Sequence, residues 1–289
     1  MRATTRLKSL LAAREALTLP GAANAMFARV IEDHGFKACY VTGAGVANMH
    51  LGAPDIGLTT LTEIANAVAA IADAVDLPLM VDADTGFGNA LNMRRTVQAL
   101  ERAGAAGLQI EDQVFPKKCG HFAGKDVIAL PEMVAKVKAA VDARRDGDLQ
   151  IIARTDARAI DGIEAAIARA HAFIEAGADA TFVEAPVSFE EMERIARELP
   201  APQIANIVFG GKTPDPGRAR LKEMGFAGVL YANALLQAAL RASGEVLSCL
   251  RETGSLDAVA DRLAGFEERQ RAVAKPMWDA LDAKYKVES

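Results

Sequence analysis

The chain has 289 residues, enough for one large α/β domain or two smaller ones, and its 51% hydrophobic and 25% charged content suits a globular protein with a sizeable core. The net charge is −5 and the basic residues are scattered, so nothing favours a nucleic acid or an anionic membrane as partner. The three cysteines, Cys39, Cys119 and Cys249, are odd in number and far apart, which points to reduced thiols in the cytoplasm and away from a disulfide framework or a zinc site.

Residues about 4–16 have the pattern of an amphipathic helix flanking the main domain, and with no sustained apolar run before Arg14 and Glu15 neither a secretory signal nor a membrane span is expected. A short strand near Leu17–Gly21 follows, and Pro20-Gly21-Ala22-Ala23 leads into a helix running to about His34. A pattern then recurs: a helix ends at glycine and a short apolar run follows. It is seen at Gly35 before Tyr40-Val41-Thr42, at Gly104 before Gln109-Ile110-Glu111, at Gly177 before Phe182-Val183-Glu184 and at Gly225 before Leu230-Tyr231-Ala232. Glycine just past a helix is the left-handed cap that stops it, and the runs have the length of strands buried on both faces of a parallel sheet. Further strand-like runs lie at Leu79–Asp82, Leu149–Arg154 and Gln203–Val208.

About eight strands alternating with helices in roughly 250 residues is the arithmetic of a TIM-type (β/α)8 barrel. An open doubly wound sheet alternates in the same way, but no Gly-x-Gly-x-x-Gly opens the first turn and no phosphate loop is present. Beyond the barrel, Ala232–Leu240 and Gly244–Leu250 read as helix, residues 256–273 are helical in pattern, and Pro276 breaks or starts a last helix holding Trp278 and Tyr285. The expected division is a barrel with its N-terminal helix over 1–250 and a helical extension over 251–289. The apolar side chains of the extension pack on their own barrel or reach another subunit.

In such a barrel, chemistry sits where strands end and loops converge. The polar strand ends are Thr42, Asp82 with Asp84, Glu111, Arg154, Glu184 and Asn206, while the strand interiors are Val, Ile, Leu, Ala and Met. Any one of them can be a cap or a salt-bridge partner, but a core does not accommodate the whole ring unpaired. In Val81-Asp82-Ala83-Asp84-Thr85-Gly86-Phe87-Gly88-Asn89, two carboxylates two residues apart at a strand end both reach a hard cation such as magnesium. The plainer alternative has Asp84 capping the helix that starts near Asn89. The loop Pro116-Lys117-Lys118-Cys119-Gly120-His121-Phe122 sets a thiol between lysines and a histidine, which favours its thiolate, and Gly120 allows close backbone approach to a ligand.

These motifs resemble the isocitrate lyase/phosphoenolpyruvate mutase superfamily over most of the chain, from about Pro20 to Ala239. The stretches that carry the likeness are Asp82-Ala83-Asp84-Thr85-Gly86-Phe87-Gly88, Gln109-Ile110-Glu111-Asp112-Gln113 and Lys117-Lys118-Cys119-Gly120-His121, joined by Tyr40-Val41-Thr42-Gly43, Pro54-Asp55-Ile56-Gly57 and Ile152-Ala153-Arg154-Thr155-Asp156. The resemblance implies a cytoplasmic homotetramer of (β/α)8 barrels that exchange a C-terminal helix. It also implies a magnesium ion, with manganese as substitute, ligated by Asp82, while Asp55, Asp84 and Glu111 hold its waters. Thr42, Gly43 and Ala44 stand where the family binds a substrate carboxylate. Arg154 matches the arginine gripping the oxy-acid end, Glu184 and Asn206 line the same pocket, and Gly120 and His121 lie in the loop over it. Cys119 matches the general acid of the carbon–carbon lyase branch.

Within that branch, Gly210-Gly211-Lys212-Thr213-Pro214 looks like the dimethylmalate lyase and petal death protein group. Phe122 departs from the arginine that 2-methylisocitrate lyases carry there, and Phe209 departs from an acidic residue in the dialkylmalate group. The implied activity is magnesium-dependent cleavage of a 2,3-dialkylmalate or 2-methylisocitrate to a 2-keto acid and a carboxylate, with Tyr40 or a metal-bound hydroxide as base. The alternatives are oxaloacetate hydrolysis or decarboxylation, a carboxyphosphonoenolpyruvate mutase-like reaction and, more remotely, a non-catalytic binding barrel.

Overall fold

In the computed structural model, residues 1–118, 120 and 124–286 are described. The strands are β1 Leu17–Ala22, β2 Cys39–Val41, β3 Leu79–Asp82, β4 Ala105–Glu111, β5 Gln150–Thr155, β6 Ala180–Val183, β7 Ile204–Asn206 and β8 Gly228–Tyr231. All pair in parallel, in the order β6-β5-β4-β3-β2-β1-β8-β7. Because β1 pairs with both β2 and β8, the sheet curls on itself, and the two outer strands meet at a seam. There Thr181 N–H donates to Pro202 O at 3.0 Å and Gln203 Nε2 donates to Thr181 Oγ1 at 2.8 Å. The result is a nearly closed TIM-type barrel, as the strand count predicts.

The surrounding helices are α1 Ala3–Ala12, α2 Ala25–Asp33, α3 Gly43–Val46 running into a π-helical turn Ala47–Leu51, α4 Leu61–Ala74, α5 Ala90–Arg102 and α6 Leu130–Ala143. They continue with α7 Arg158–Glu175, interrupted at Gly162, α8 Phe189–Glu198 and α9 Gly217–Met224. The four glycines expected to stop helices all adopt the left-handed backbone, with φ from 76° at Gly35 to 107° at Gly104.

Strand side chains alternate between the two faces of the sheet. Leu19, Tyr40, Met80, Ile152, Phe182, Ile204 and Leu230 pack together on the inner face, and Leu7 and Leu11 of α1 join that cluster. Helix α1 is held at the loop before β5 by hydroxyl donation from Thr4 to Asp146 and from Thr5 to Asp148, each at 2.7 Å, and by Lys8 Nζ to Asp148 at 2.8 Å. With the strand starts closed in this way, the interior opens at the C-terminal strand ends.

The chain divides into two compact units, Met1–Ala234 and the segment from Leu235 onward. In the second, the helix α10 Ala234–Thr253 passes through Gly244 without a break. The expected helix over 256–273 is instead two pieces, a 3-10 turn Asp257–Arg262 and α11 Phe266–Ala272, with Gly265 in extended conformation as the cap between them. Pro276 starts the last helix, α12 Lys275–Tyr285, from its first turn, where a missing N–H costs nothing. No helix among the described residues is long and apolar enough to cross a membrane.

Candidate active site

The two-residue period that fills the barrel also builds the site. One step beyond the apolar inner positions Tyr40, Met80, Ile152, Phe182, Ile204 and Leu230 come Thr42, Asp82, Arg154, Glu184, Asn206 and Ala232, and Glu111 follows Gln109 in the same way. They line one cavity, together with Ala44, Asp55, Lys117, Lys118, Gly120 and Asn233. Gly43 and Asp84 lie just behind this lining: a Cβ on Gly43 would come within 3.0 Å of Asp82 Oδ2, and Asp84 donates its N–H to Asp82 Oδ1 at 3.1 Å. Cys119 and His121 lie outside the described residues.

One side of the cavity is acidic. Lys117 Nζ sits 2.5 Å from both Asp55 Oδ1 and Asp84 Oδ1. Burial, followed by the charges of Asp82 and Asp55, pushes the Asp84 carboxyl up to about 6 although Lys117 opposes the rise. Burial likewise holds Glu111 well above the ordinary carboxylate range, and its Oε1 has no hydrogen-bond partner. Burial alone would lower the Lys117 ammonium, but Asp84, Glu111, Asp82 and Asp55 together hold it well above its usual value. Asp84 itself has φ 46°, a strained backbone for a residue with a side chain, and Glu111 N–H donates to its carbonyl at 2.9 Å. It does not cap the following helix. Asn89 does, its Oδ1 accepting from Leu91 N at 2.9 Å and Asn92 N at 3.3 Å.

This donor set fits the implied divalent cation. Four carboxylates, Asp55, Asp82, Asp84 and Glu111, face the Lys117 ammonium and, at Glu111, the Arg154 guanidinium, and an orphaned carboxylate oxygen points to charge still to be met. Among the described residues no three His, Cys, Asp or Glu side chains are grouped as direct metal ligands. A hard ion that keeps several waters needs only one or two direct carboxylates, which is the habit of magnesium.

The adjoining side is organised by Arg154. Its Nε and Nη2 donate to Asp156 at 2.9 and 3.1 Å, its Nε lies 3.3 Å from Glu111 Oε2, and its Nη1 lies 3.6 Å from Glu184 Oε2. The guanidinium rests over the Phe182 ring, 5.2 Å from the centroid. Asn206 Nδ2 reaches both Glu184 oxygens at 3.4 Å. On the floor, Tyr40 donates its hydroxyl to Gln109 Oε1 at 2.6 Å, and Gln109 Nε2 donates to Asp82 Oδ1 at 3.4 Å. Burial, reinforced by Asp82, pushes the Tyr40 phenol well above its ordinary range. Thr42 Oγ1 accepts from Gly45 N at 3.1 Å and lies 3.4 Å from Asn233 Oδ1.

Gln109, Asp156, Lys117 as a buried partner of Asp55 and Asp84, and Asn233 are absent from the sequence reading of the site. Gln109 and Asp156 carried a usable signal, since each stands two residues from an expected site residue on its strand or strand end. Lys117 and Asn233 carried none, because only the fold brings them to the acidic strand ends and to Thr42.

A family model described as phosphoenolpyruvate phosphomutase matches residues 7–250. The chain belongs to this family. It is 44% identical over 268 residues to the 2,3-dimethylmalate lyase of Eubacterium barkeri, covering 93% of each chain. It is 46% identical over 257 residues to a 2-methylisocitrate lyase of Aeropyrum pernix, covering 89% of this chain and 82% of that one. A solved structure of 2,3-dimethylmalate lyase, a member of the PEP mutase/isocitrate lyase superfamily, matches with a TM-score of 0.93 at 34% identity, covering 98% of this chain and 95% of that one.

Proposed function

We propose that the chain is a divalent-metal-dependent carbon–carbon lyase that cleaves a 2-hydroxy dicarboxylate of the 2,3-dialkylmalate or 2-methylisocitrate type to a 2-keto acid and a carboxylate. The observation that carries this reading is the meeting, in one small cavity, of an acidic cluster at Asp82 and a fixed guanidinium at Arg154. An α-oxy acid offers a carboxylate to the arginine and two adjacent oxygens to a cation.

Asp82 would hold that cation, with Asp55, Asp84 and Glu111 ordering its waters; magnesium is the expected ion and manganese its substitute. Once bound, it supplies Lewis-acid polarisation of the hydroxyl and carboxylate oxygens. Arg154, already oriented by Asp156, binds the carboxylate of the oxy-acid end and stabilises charge as the C2–C3 bond breaks. Thr42 and the backbone of Gly43 and Ala44 seat the second carboxylate. Tyr40 has its proton committed to Gln109, so it acts as a positioning group for Gln109 and Asp82. The hydroxyl proton passes to a cavity carboxylate, Glu111, whose Oε1 has no hydrogen-bond partner; the electron pair left on oxygen forms the new C=O, and the C2–C3 pair passes to C3. Cys119 then gives C3 its proton as general acid; its neighbours Lys118 and Gly120 line the cavity, which supports that assignment. The helical extension over 251–289 serves assembly, in a cytoplasmic homotetramer with exchanged helices.

The test is incubation of the purified protein and magnesium with 2,3-dimethylmalate, 2-methylisocitrate and oxaloacetate, following 2-keto acid. The expected result is 2-keto acid formation from one of the first two. Consumption of oxaloacetate alone would overturn the reading in favour of hydrolysis or decarboxylation.

A further inference from the structure

Lys125 stands outside every role assigned above, yet its side chain is only 2% exposed. A buried ammonium is costly unless paired, so its partners matter. Its Nζ reaches two acceptors, Asp156 Oδ1 and Gly120 O, each at 2.5 Å. Both lead to Arg154. Asp156 holds the guanidinium through two hydrogen bonds, and Gly120 backs directly onto it: a Cβ built on Gly120 would stand 2.5 Å from Arg154 Nη2 and 2.5 Å from Glu184 Oε1.

The supports on either side are fixed. Asp156 N–H donates to Asp112 Oδ1 at 2.9 Å, while Asp112 Oδ2 accepts from Arg169 Nε at 2.7 Å. The chain flanking Lys125 is pinned beside the end of β4, with Val114 N–H donating to Asp126 O at 2.9 Å and an antiparallel bridge between Gln113 and Val127. Lys125 therefore spans an anchored segment, an anchored carboxylate and the Gly120 backbone.

We infer that Lys125 is a positioning residue for Arg154, setting the guanidinium in place by holding Asp156 and Gly120 against it from two directions. The inference rests on the reading that Arg154 grips a substrate carboxylate. Guanidinium–carboxylate recognition is directional, and misplacement by about 1 Å can cost on the order of 10²-fold in rate.

Lys125→Met keeps most of the side-chain stem and removes the ammonium. It is expected to lower kcat/KM on the best dialkylmalate by about 10²-fold, with KM raised, while the magnesium concentration for half-maximal rate changes much less, because the partners of Lys125 are Asp156 and Gly120 and not Asp55, Asp82, Asp84 or Glu111. Adding Asp156→Asn to Lys125→Met should cost much less than Asp156→Asn costs alone, since both act through one network. Hydrogen exchange of the peptide carrying Gly120 should speed up in Lys125→Met, a measurement that needs neither turnover nor the Asp156 variant. Wild-type kcat and KM in Lys125→Met, additive losses in the pair, or unchanged exchange would overturn the inference. If the wild type cleaves no candidate substrate, the lyase reading falls, and the exchange measurement still decides whether Lys125 holds Gly120.

Discussion

Arg154 and Asp156 stand two residues apart at the end of β5 and face each other through paired hydrogen bonds, Nε to Oδ2 at 2.9 Å and Nη2 to Oδ1 at 3.1 Å. Both are buried, and Arg154 and Lys125 together hold the Asp156 carboxyl below its ordinary range despite burial. Removing Asp156 takes the carboxylate from the buried Lys125 ammonium and leaves Arg154 with its longer contacts to Glu111 and Glu184. Asp156→Ala is therefore expected to lose about 3–5 kcal/mol of stability. Urea denaturation followed by circular dichroism measures it, and a loss below about 1 kcal/mol would mean that solvent already reaches the pair.

Asp82→Ala should abolish turnover while leaving the fold largely intact, because a carboxylate at a strand end serves the cavity more than the core. Chelation should also stop the wild type, and magnesium or manganese should restore it. Full activity in excess chelator would remove the metal from the mechanism.

Cys119→Ser exchanges a thiol for a far weaker acid of similar shape. A loss on the order of 10²–10⁴-fold in kcat, with KM little changed, is expected if the thiol protonates the departing carbon. Steady-state kinetics on the best dialkylmalate decide it, and near wild-type cleavage would end the assignment.

Within the segment from Leu235, Leu240, Leu247, Phe266 and Trp278 are exposed, an amount of apolar surface that calls for a partner. Truncation after Gly254 should dissociate or precipitate the protein, as judged by light scattering. An unchanged soluble oligomer would contradict the assembly role.

Hydrogen bonds from Lys8 and Thr5 hold the half-buried Asp148 carboxyl down to about 2, against an ordinary value of 3.8. A carboxyl lowered by folding contributes stability that is fully present above its unfolded value and is lost as pH falls through the folded one. The docking of α1 should therefore weaken between about pH 4 and pH 2. The melting temperature of Asp148→Asn, lower at neutral pH, should converge on that of the wild type across this window; parallel curves would show that the carboxyl contributes nothing there.

Much of the fold is local in origin, which is why it is legible in the chain. Gly35, Gly104, Gly177 and Gly225 each stop a helix through their own backbone freedom, and the apolar runs after them have the length of buried strands. Once a strand is placed, a period of two decides its inner face, so Asp82, Glu111, Arg154, Glu184 and Asn206 follow as one ring without any knowledge of their neighbours. Pairing is different, because it depends on how far each strand is shifted against the next and on where loops return. Lys117 meeting Asp55 and Asp84, Gln109 joining Tyr40 to Asp82, and Lys125 joining Gly120 to Asp156 each connect groups far apart in sequence or on different strands. The choice of Asn89 over Asp84 as helix cap was decided there too, since Asp84 N–H is turned to Asp82 and its carboxylate to Lys117. The residue types around the cavity are written in the chain, but which charge answers which is settled by closure of the barrel, where desolvation leaves each buried group dependent on the partner that geometry brings to it.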